Sequence, residues 1–309
     1  MNERIGKIQS NPDAYKIEFF FYNRARDAMF DIVNELFGDG YKDIYIPGYI
    51  GWSSKEGSGI FDPLNLIAGL VRHYYHMSKK LTIDLDSVRS QLKPHSILLI
   101  VNYFGFRDPC IGELIRIAHE NNCVVIEDNA HGFYTYFYYG SMGADMTFFS
   151  LHKMFPFKQG GGLIVENNKS YQLHSLEMPV DFNPFAYNYN KIAKVRTKNY
   201  KALSLLITKY KKYFEPLRSS KLLERNIPQT FPIIIKQGKR DNIYEIMNEA
   251  GYGVVSLYHT MIEELRCEAH SDAMWLSQRV MNLPVHQDVD GSLYQSMVDT
   301  LIKACEMTK

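Results

Sequence analysis

The chain has 309 residues, with 35 basic and 34 acidic side chains, a formal charge of +1 and 46% hydrophobic residues. That balance calls for neither nucleic acid nor an anionic membrane and is too apolar for a disordered chain; the length allows one large domain, or a large and a small one. Cys110, Cys123, Cys267 and Cys305 lack metal-site or redox spacing and read as free thiols in a reducing cytoplasm. The N-terminus carries no apolar leader, and no apolar run reaches the roughly 18 residues of a membrane-spanning helix.

In chain order, residues 17–22 are apolar and aromatic. A run with apolar positions 29, 30, 32, 33, 36 and 37 follows, at the spacing of a helix face. Asn23 is the expected N-cap and Gly38 or Gly40 the stop, and the first-turn amides offer a phosphate site. Residues 43–47 read as a strand and 48–59 as a glycine-rich loop bearing Trp52, suited either to stack on a planar cofactor or to pack over the core. Strands are expected at 70–75, 96–101 and 123–128, with a short helix before residue 92 and a helix over 111–118 introduced by Asp108. Downstream, the pattern predicts a helix over 192–213, a strand at 230–235, a helix over 242–249, a strand at 251–255, a short apolar segment at 282–286 and a last helix over 292–304. Alternating strands and helices describe an α/β fold with a mainly parallel sheet, whose ligands bind at the strands' carboxyl ends. The division falls into a large domain at 1–195 and a smaller C-terminal α+β domain at 196–309, with the first residues against the latter.

Two strand ends carry the chemistry. One offers Asp128, then His131; the next offers Ser150 and Lys153, followed by glycines 160–162. A lysine at the end of a buried strand is costly unless paired or uncharged, and a desolvated lysine forms Schiff bases with carbonyls. The plainer reading is a surface lysine before a glycine turn. An aspartate ending the preceding strand favours the first, because pyridoxal phosphate needs a lysine for its aldehyde and a carboxylate for its ring nitrogen.

Residues 125–132 (Val-Ile-Glu-Asp-Asn-Ala-His-Gly), 140–145 (Gly-Ser-Met-Gly-Ala-Asp), 149–153 (Phe-Ser-Leu-His-Lys) and the three glycines together resemble the DegT/DnrJ/StrS family. These are fold-type I pyridoxal phosphate aminotransferases acting largely on keto-sugars. Residues 101–105, 231–233 and 282–286 echo its other landmarks. The resemblance implies that Lys153 forms the Schiff base and moves the proton, that Asp128 binds the pyridine nitrogen, and that His131 stands near the 3′ oxygen where the family often has Gln. Ser150 and the backbone at Asn23, Arg24 and Ala25 hold the phosphate, and the loop around Trp52 stacks on the ring. Asn188 belongs to a segment, 188–190, resembling an Asn-Tyr-Arg that reaches the partner subunit's phosphate; Asn190 replaces the Arg. The region 167–195 is shortened where the family shapes its sugar pocket. Lys158, after Pro156, is placed at the loop or rim.

The resemblance thus implies a cytoplasmic homodimer that moves an amino group, from glutamate, to a keto-sugar or sugar-nucleotide for amino-sugar synthesis, with no metal. Open alternatives are another pyridoxal phosphate reaction, a smaller keto substrate, or a non-catalytic protein on the same fold. A nicotinamide oxidoreductase lacks its G-x-G-x-x-G after the first strand. A family dehydratase would carry His in place of Lys153.

Overall fold

The computed structural model describes residues 18–167, 169–180 and 183–308. The packing expected of the first residues lies outside them, as does Ile17. The chain begins with β1 (Phe19–Tyr22) and α1 (Ala25–Gly38), then β2 (Asp43–Pro47), α2 (Phe61–Asn65), β3 (Val71–Tyr75), α3 (Leu85–Gln91) and β4 (Ile97–Val101). It continues with α4 (Ile111–Glu120), β5 (Val124–Asp128), α5 (Phe133–Tyr139), β6 (Met146–Ser150) and β7 (Gly161–Val165). These strands form one sheet in the order β1-β7-β6-β5-β4-β2-β3. β3, β2, β4, β5 and β6 are parallel, while β7 is antiparallel to both β6 and β1, so β1 runs in the direction of β6.

β4 and β5 are buried along their whole length, which is why their sequences are unbroken apolar runs rather than alternating ones. Ala28, Met29, Ile32, Val33 and Leu36 bury one face of α1, which packs on β6 and β7. The approach at its start is close. A Cβ at Gly161 would lie 2.4 Å from the Arg24 carbonyl carbon and 2.5 Å from the Ala25 nitrogen. Glycine at the head of β7 therefore sets the position of α1's first turn.

The remainder comprises α6 (Tyr189–Ile207), β8 (Phe214–Pro216), β9 (Thr230–Ile235), α7 (Arg240–Glu249), α8 (Ser271–Ser277), β10 (Val280–Pro284) and α9 (Tyr294–Met307). An antiparallel sheet β10-β9-β8 is its centre. α6 touches α5 as well as β8, β9 and α9, and position 195/196 falls inside it.

Several expectations are corrected. Arg24, not Asn23, is the N-cap of α1, because the Asn23 carbonyl is taken by the Gly160 N–H at 2.7 Å. Residues 251–255 form no strand: Gly251 and Gly253 adopt φ of +84° and +59°, and Val255 makes only an isolated bridge to Asn282. α6 begins earlier and ends earlier than expected, and α5 was read as no element at all.

Candidate active site

The parallel strands deliver their exits to one edge. Val101 is in register with Asp128, and Asp128 with Phe148. The Asn102 N–H bonds the Asp128 carbonyl at 3.0 Å and the Asn129 N–H bonds that of Phe148 at 2.9 Å, so the chain leaves β4, β5 and β6 side by side. Beneath the exits lies a buried polar layer. The Asn102 Nδ2 donates to Glu127 Oε1 and, at 2.8 Å, to Asn129 Oδ1, and Arg107 Nε lies 3.5 Å from Glu127 Oε1. Charge pairing inside the protein fixes these loops in place. Gly132 belongs to the same design, since a Cβ there would fall 2.0 Å from Asn129 Oδ1.

Asp128 is 6% exposed, and its Oδ1 accepts from the Ala130 N–H at 2.8 Å. Burial raises its pKa from the ordinary 3.8 to about 6, against the lowering pull of that hydrogen bond and of Lys153. At neutral pH it is a mostly ionised carboxylate held out of water, a setting that stabilises a bound cation such as a protonated ring nitrogen.

Lys153 ends a single 3-10 turn, Leu151–Lys153, that β6 runs into; the Met154 N–H closes it on the Leu151 carbonyl at 3.0 Å, and the Leu151 N–H ties it to the Gly160 carbonyl at 2.9 Å. Its Nζ stands 3.2 Å from His131 Nε2. The residue faces an open side of the cleft, yet the protein packed around its amine lowers the pKa from 10.5, opposed by Asp128 and Glu56. His131 settles the direction of the contact. The Phe104 N–H donates to His131 Nδ1 at 3.2 Å, so a neutral imidazole carries its proton on Nε2. Burial and Lys153 hold the imidazole well below the usual histidine range, hence neutral. Nε2–H thus faces the Lys153 amine, whose lowered pKa favours the nucleophilic form of lysine.

The donor to His131 is itself specially held. Phe104 has φ +61°, and its ring lies nearly parallel to the imidazole with centroids 6.1 Å apart. Its turn is buttressed from two sides: the Gln229 N–H, from the C-terminal half, bonds the Phe104 carbonyl at 2.9 Å, and Thr135 Oγ1, from α5, donates to the Gly105 carbonyl at 2.8 Å. Such left-handed residues persist where surrounding contacts over-determine them.

Ser150 is buried, with Oγ 3.2 Å from His152 Nδ1. Asn23, Arg24 and Ala25 lead into α1 on the same sheet edge; Asn23 Oδ1 accepts from Gln159 Nε2 at 3.3 Å. Arg26, which the sequence did not single out, extends from that first turn to the Glu56 carbonyl at 3.0 Å, and its charge is felt by Lys153 and His152. Trp52 is 42% exposed and, with Phe61, Asp62, Ile262, Glu263 and Arg266, lines a groove of about 560 Å³. Asn188 caps α6, its Oδ1 accepting from the Lys191 N–H at 3.0 Å. Lys158 is exposed. Tyr258 was also missed, and packs against His131. Asp128, His131 and Lys153 come together, while Trp52 lines the groove and Asn188 caps α6. Among the described residues no group of three or more His, Cys, Asp or Glu is arranged to hold a metal ion, and no helix is long and apolar enough to cross a membrane.

Residues 74–178 match the DegT/DnrJ/EryC1/StrS aminotransferase family. No curated protein matches the chain. Among solved structures, the Escherichia coli GDP-4-keto-6-deoxy-D-mannose-3-dehydratase with bound hydrated PLP is similar at 17% identity and TM-score 0.67, covering 93% of this chain and 87% of that one. An aminotransferase from Psychrobacter cryohalolentis aligns at 13% identity and TM-score 0.70, covering 94% and 87%. A 3-amino-5-hydroxybenzoic acid synthase gives 12% identity and TM-score 0.69 over the same shares. The large, mostly parallel sheet is that of the fold-type I enzymes. The resemblance read from the motifs is borne out: through residues 74–178 this chain carries the sequence pattern of the DegT/DnrJ/EryC1/StrS aminotransferase family, on a fold-type I frame.

Proposed function

We propose that the chain is a pyridoxal phosphate-dependent aminotransferase that transfers an amino group from an amino acid such as glutamate to a keto-sugar or related keto compound. The observation that carries this reading is the Lys153 amine, its pKa lowered by burial, 3.2 Å from the neutral His131 and in the field of the buried Asp128. The residues fit the cofactor's chemistry: an amine of lowered pKa for the aldehyde, a desolvated carboxylate for the ring nitrogen, an imidazole N–H for the ring oxygen. The bound cofactor supplies an aldehyde that links to amines and a ring that accepts electrons from the adjoining carbon.

Each residue then has a defined task. Lys153 Nζ would take a proton from the substrate carbon and return it, a task its lowered pKa favours. Asp128, ionised, would hold a proton on the ring nitrogen. His131 Nε2–H would donate to the ring oxygen. Ser150 Oγ and the first-turn amides of α1 would hold the phosphate, with Arg26 adding a positive charge from the same turn. Asn23, Arg24 and Ala25 serve through their backbone. A division near 195/196 and a homodimer, with Asn188 near the partner's phosphate, complete the proposal.

The dehydratase neighbour favours a second reading, loss of water from a sugar. Lys153 speaks against it, because the family's dehydratases carry His there. The two are separated by adding glutamate to the yellow, cofactor-loaded protein. A transaminase converts to the colourless amine form and regains the aldehyde spectrum when a 4-keto or 3-keto nucleotide-sugar is added, giving an amino sugar. Formation of a deoxy keto-sugar instead, or no spectral change with any amino donor, refutes the proposal.

A further inference from the structure

We infer that Tyr258, from the C-terminal half of the chain, is the residue that bounds the ring face of the cofactor site. The inference rests on the cofactor site proposed above for Asp128, His131 and Lys153.

The segment bearing Tyr258 is fastened to the exit of β2. The Trp52 N–H donates to the Thr260 carbonyl at 2.9 Å, the Ile262 N–H to the Ile50 carbonyl at 3.1 Å, and Gly51 is the bridge partner of Met261. Gly51 is what admits the tyrosine. A Cβ there would lie 2.9 Å from Tyr258 Cδ1 and 3.0 Å from its Cα. The loop expected to supply a ring-facing aromatic thus has no side chain where it meets Tyr258, and the tyrosine fills the space. Trp52, the next residue, lines the groove with Phe61 and Ile262.

Tyr258 is held in an unfavourable conformation to be there. Its φ is +61°, in a region that disfavours side chains with a Cβ. Four rings surround it: Tyr103 at 5.2 Å between centroids, Tyr49 at 5.3 Å, and Phe104 and His131 each at 6.2 Å. The His131 contact is edge-on, at 67°. The phenol is also near enough to Asp128 for the carboxylate to oppose its ionisation. One side chain therefore adjoins both the acid and the imidazole that the ring rests on. Strain held by a surrounding aromatic cage, at a position facing functional groups, is the pattern expected of a residue kept for a ligand rather than for packing alone. Aromatic contacts of this kind give about tenfold in affinity.

Equilibrium binding read by absorbance tests it, using pyridoxal phosphate and pyridoxal as separate probes. Tyr258→Ala is expected to weaken both by about tenfold, equally, because the contact is with the ring and not the phosphate. Tyr258→Phe, which keeps the ring, stays within about twofold of the parent. If Tyr258→Ala does not fold, Tyr258→Leu replaces it with the same expectation. Unchanged or tighter binding by the truncated variant overturns the inference, tighter binding marking Tyr258 as an obstruction. Loss confined to pyridoxal phosphate also overturns it. If the parent protein itself forms no chromophore with either probe, the proposed cofactor site fails and this inference with it; a parent that does, beside an unaffected variant, sinks this inference alone.

Discussion

Asp128→Asn makes the cofactor-free protein more stable while removing its proposed function. Asp128 is buried and its pKa rises from 3.8 to about 6 on folding, chiefly because burial penalises the charge. A rise of that size, at about 1.4 kcal/mol per unit, amounts to about 3 kcal/mol. For an acid whose pKa is higher in the folded state, the cost is absent below about pH 4, where the group is protonated folded and unfolded alike. It grows as pH rises and is complete above about pH 6. Asparagine keeps the oxygen that accepts from the Ala130 N–H and carries no charge to desolvate. Urea unfolding of the cofactor-free proteins, followed by circular dichroism and fluorescence, therefore shows the variant ahead by about 3 kcal/mol near pH 7.5 and by about 1 kcal/mol near pH 4.5. A variant less stable than the parent at pH 7.5, or a gap that does not narrow on acidification, refutes the assignment of Asp128 as a desolvated carboxylate. Removing the carboxylate also withdraws the larger of the two charges that raise the Lys153 pKa, so the amine titrates lower still.

Other outcomes follow from the same geometry. Lys153→Ala abolishes transamination and the visible cofactor band, whereas Lys158→Ala retains both; half-transamination with glutamate, read by absorbance, separates the two lysines. Arg26→Gln weakens pyridoxal phosphate by about tenfold in a titration but leaves pyridoxal unchanged, as expected for a charge-assisted hydrogen bond to phosphate of about 1.5 kcal/mol; equal losses for both ligands contradict a phosphate role. Gly105→Ala destabilises the protein by roughly 2–4 kcal/mol in urea unfolding, because φ is +86° and a Cβ would lie 2.6 Å from the Ile227 carbonyl and 2.7 Å from the Gln229 nitrogen. A loss below about 1 kcal/mol means that the 103–105 turn is not as tightly clamped as the structure shows.

Much of this was legible because strands buried on both faces write themselves as unbroken apolar runs. Residues 97–101 and 124–128 announce two central parallel strands, and the groups after them, Asp128, His131, Ser150 and Lys153, fall at the edge where such sheets bind ligands. The misses have physical causes. Residues 133–139, Phe-Tyr-Thr-Tyr-Phe-Tyr-Tyr, carry strand-favouring side chains, yet they form α5, whose Phe133 and Tyr134 are buried in an aromatic cluster with Phe149 and Phe155. Residues 251–255 have strand composition but two glycines in left-handed conformations that turn the chain. Tyr258 and Arg26 reach the site only through tertiary contacts: one crosses 127 positions from His131, and the other points from a helix turn toward the Glu56 carbonyl. No local pattern encodes either. The left-handed Phe104 is similarly hidden.

Reduction of the cofactor-loaded protein with borohydride, then peptide mass mapping, tests the central claim most directly. The account predicts a phosphopyridoxyl group on Lys153 alone, in a yield that falls when Asp128 is changed to Ala. A label on Lys158 or any other lysine, or none under conditions where the protein is folded, contradicts it.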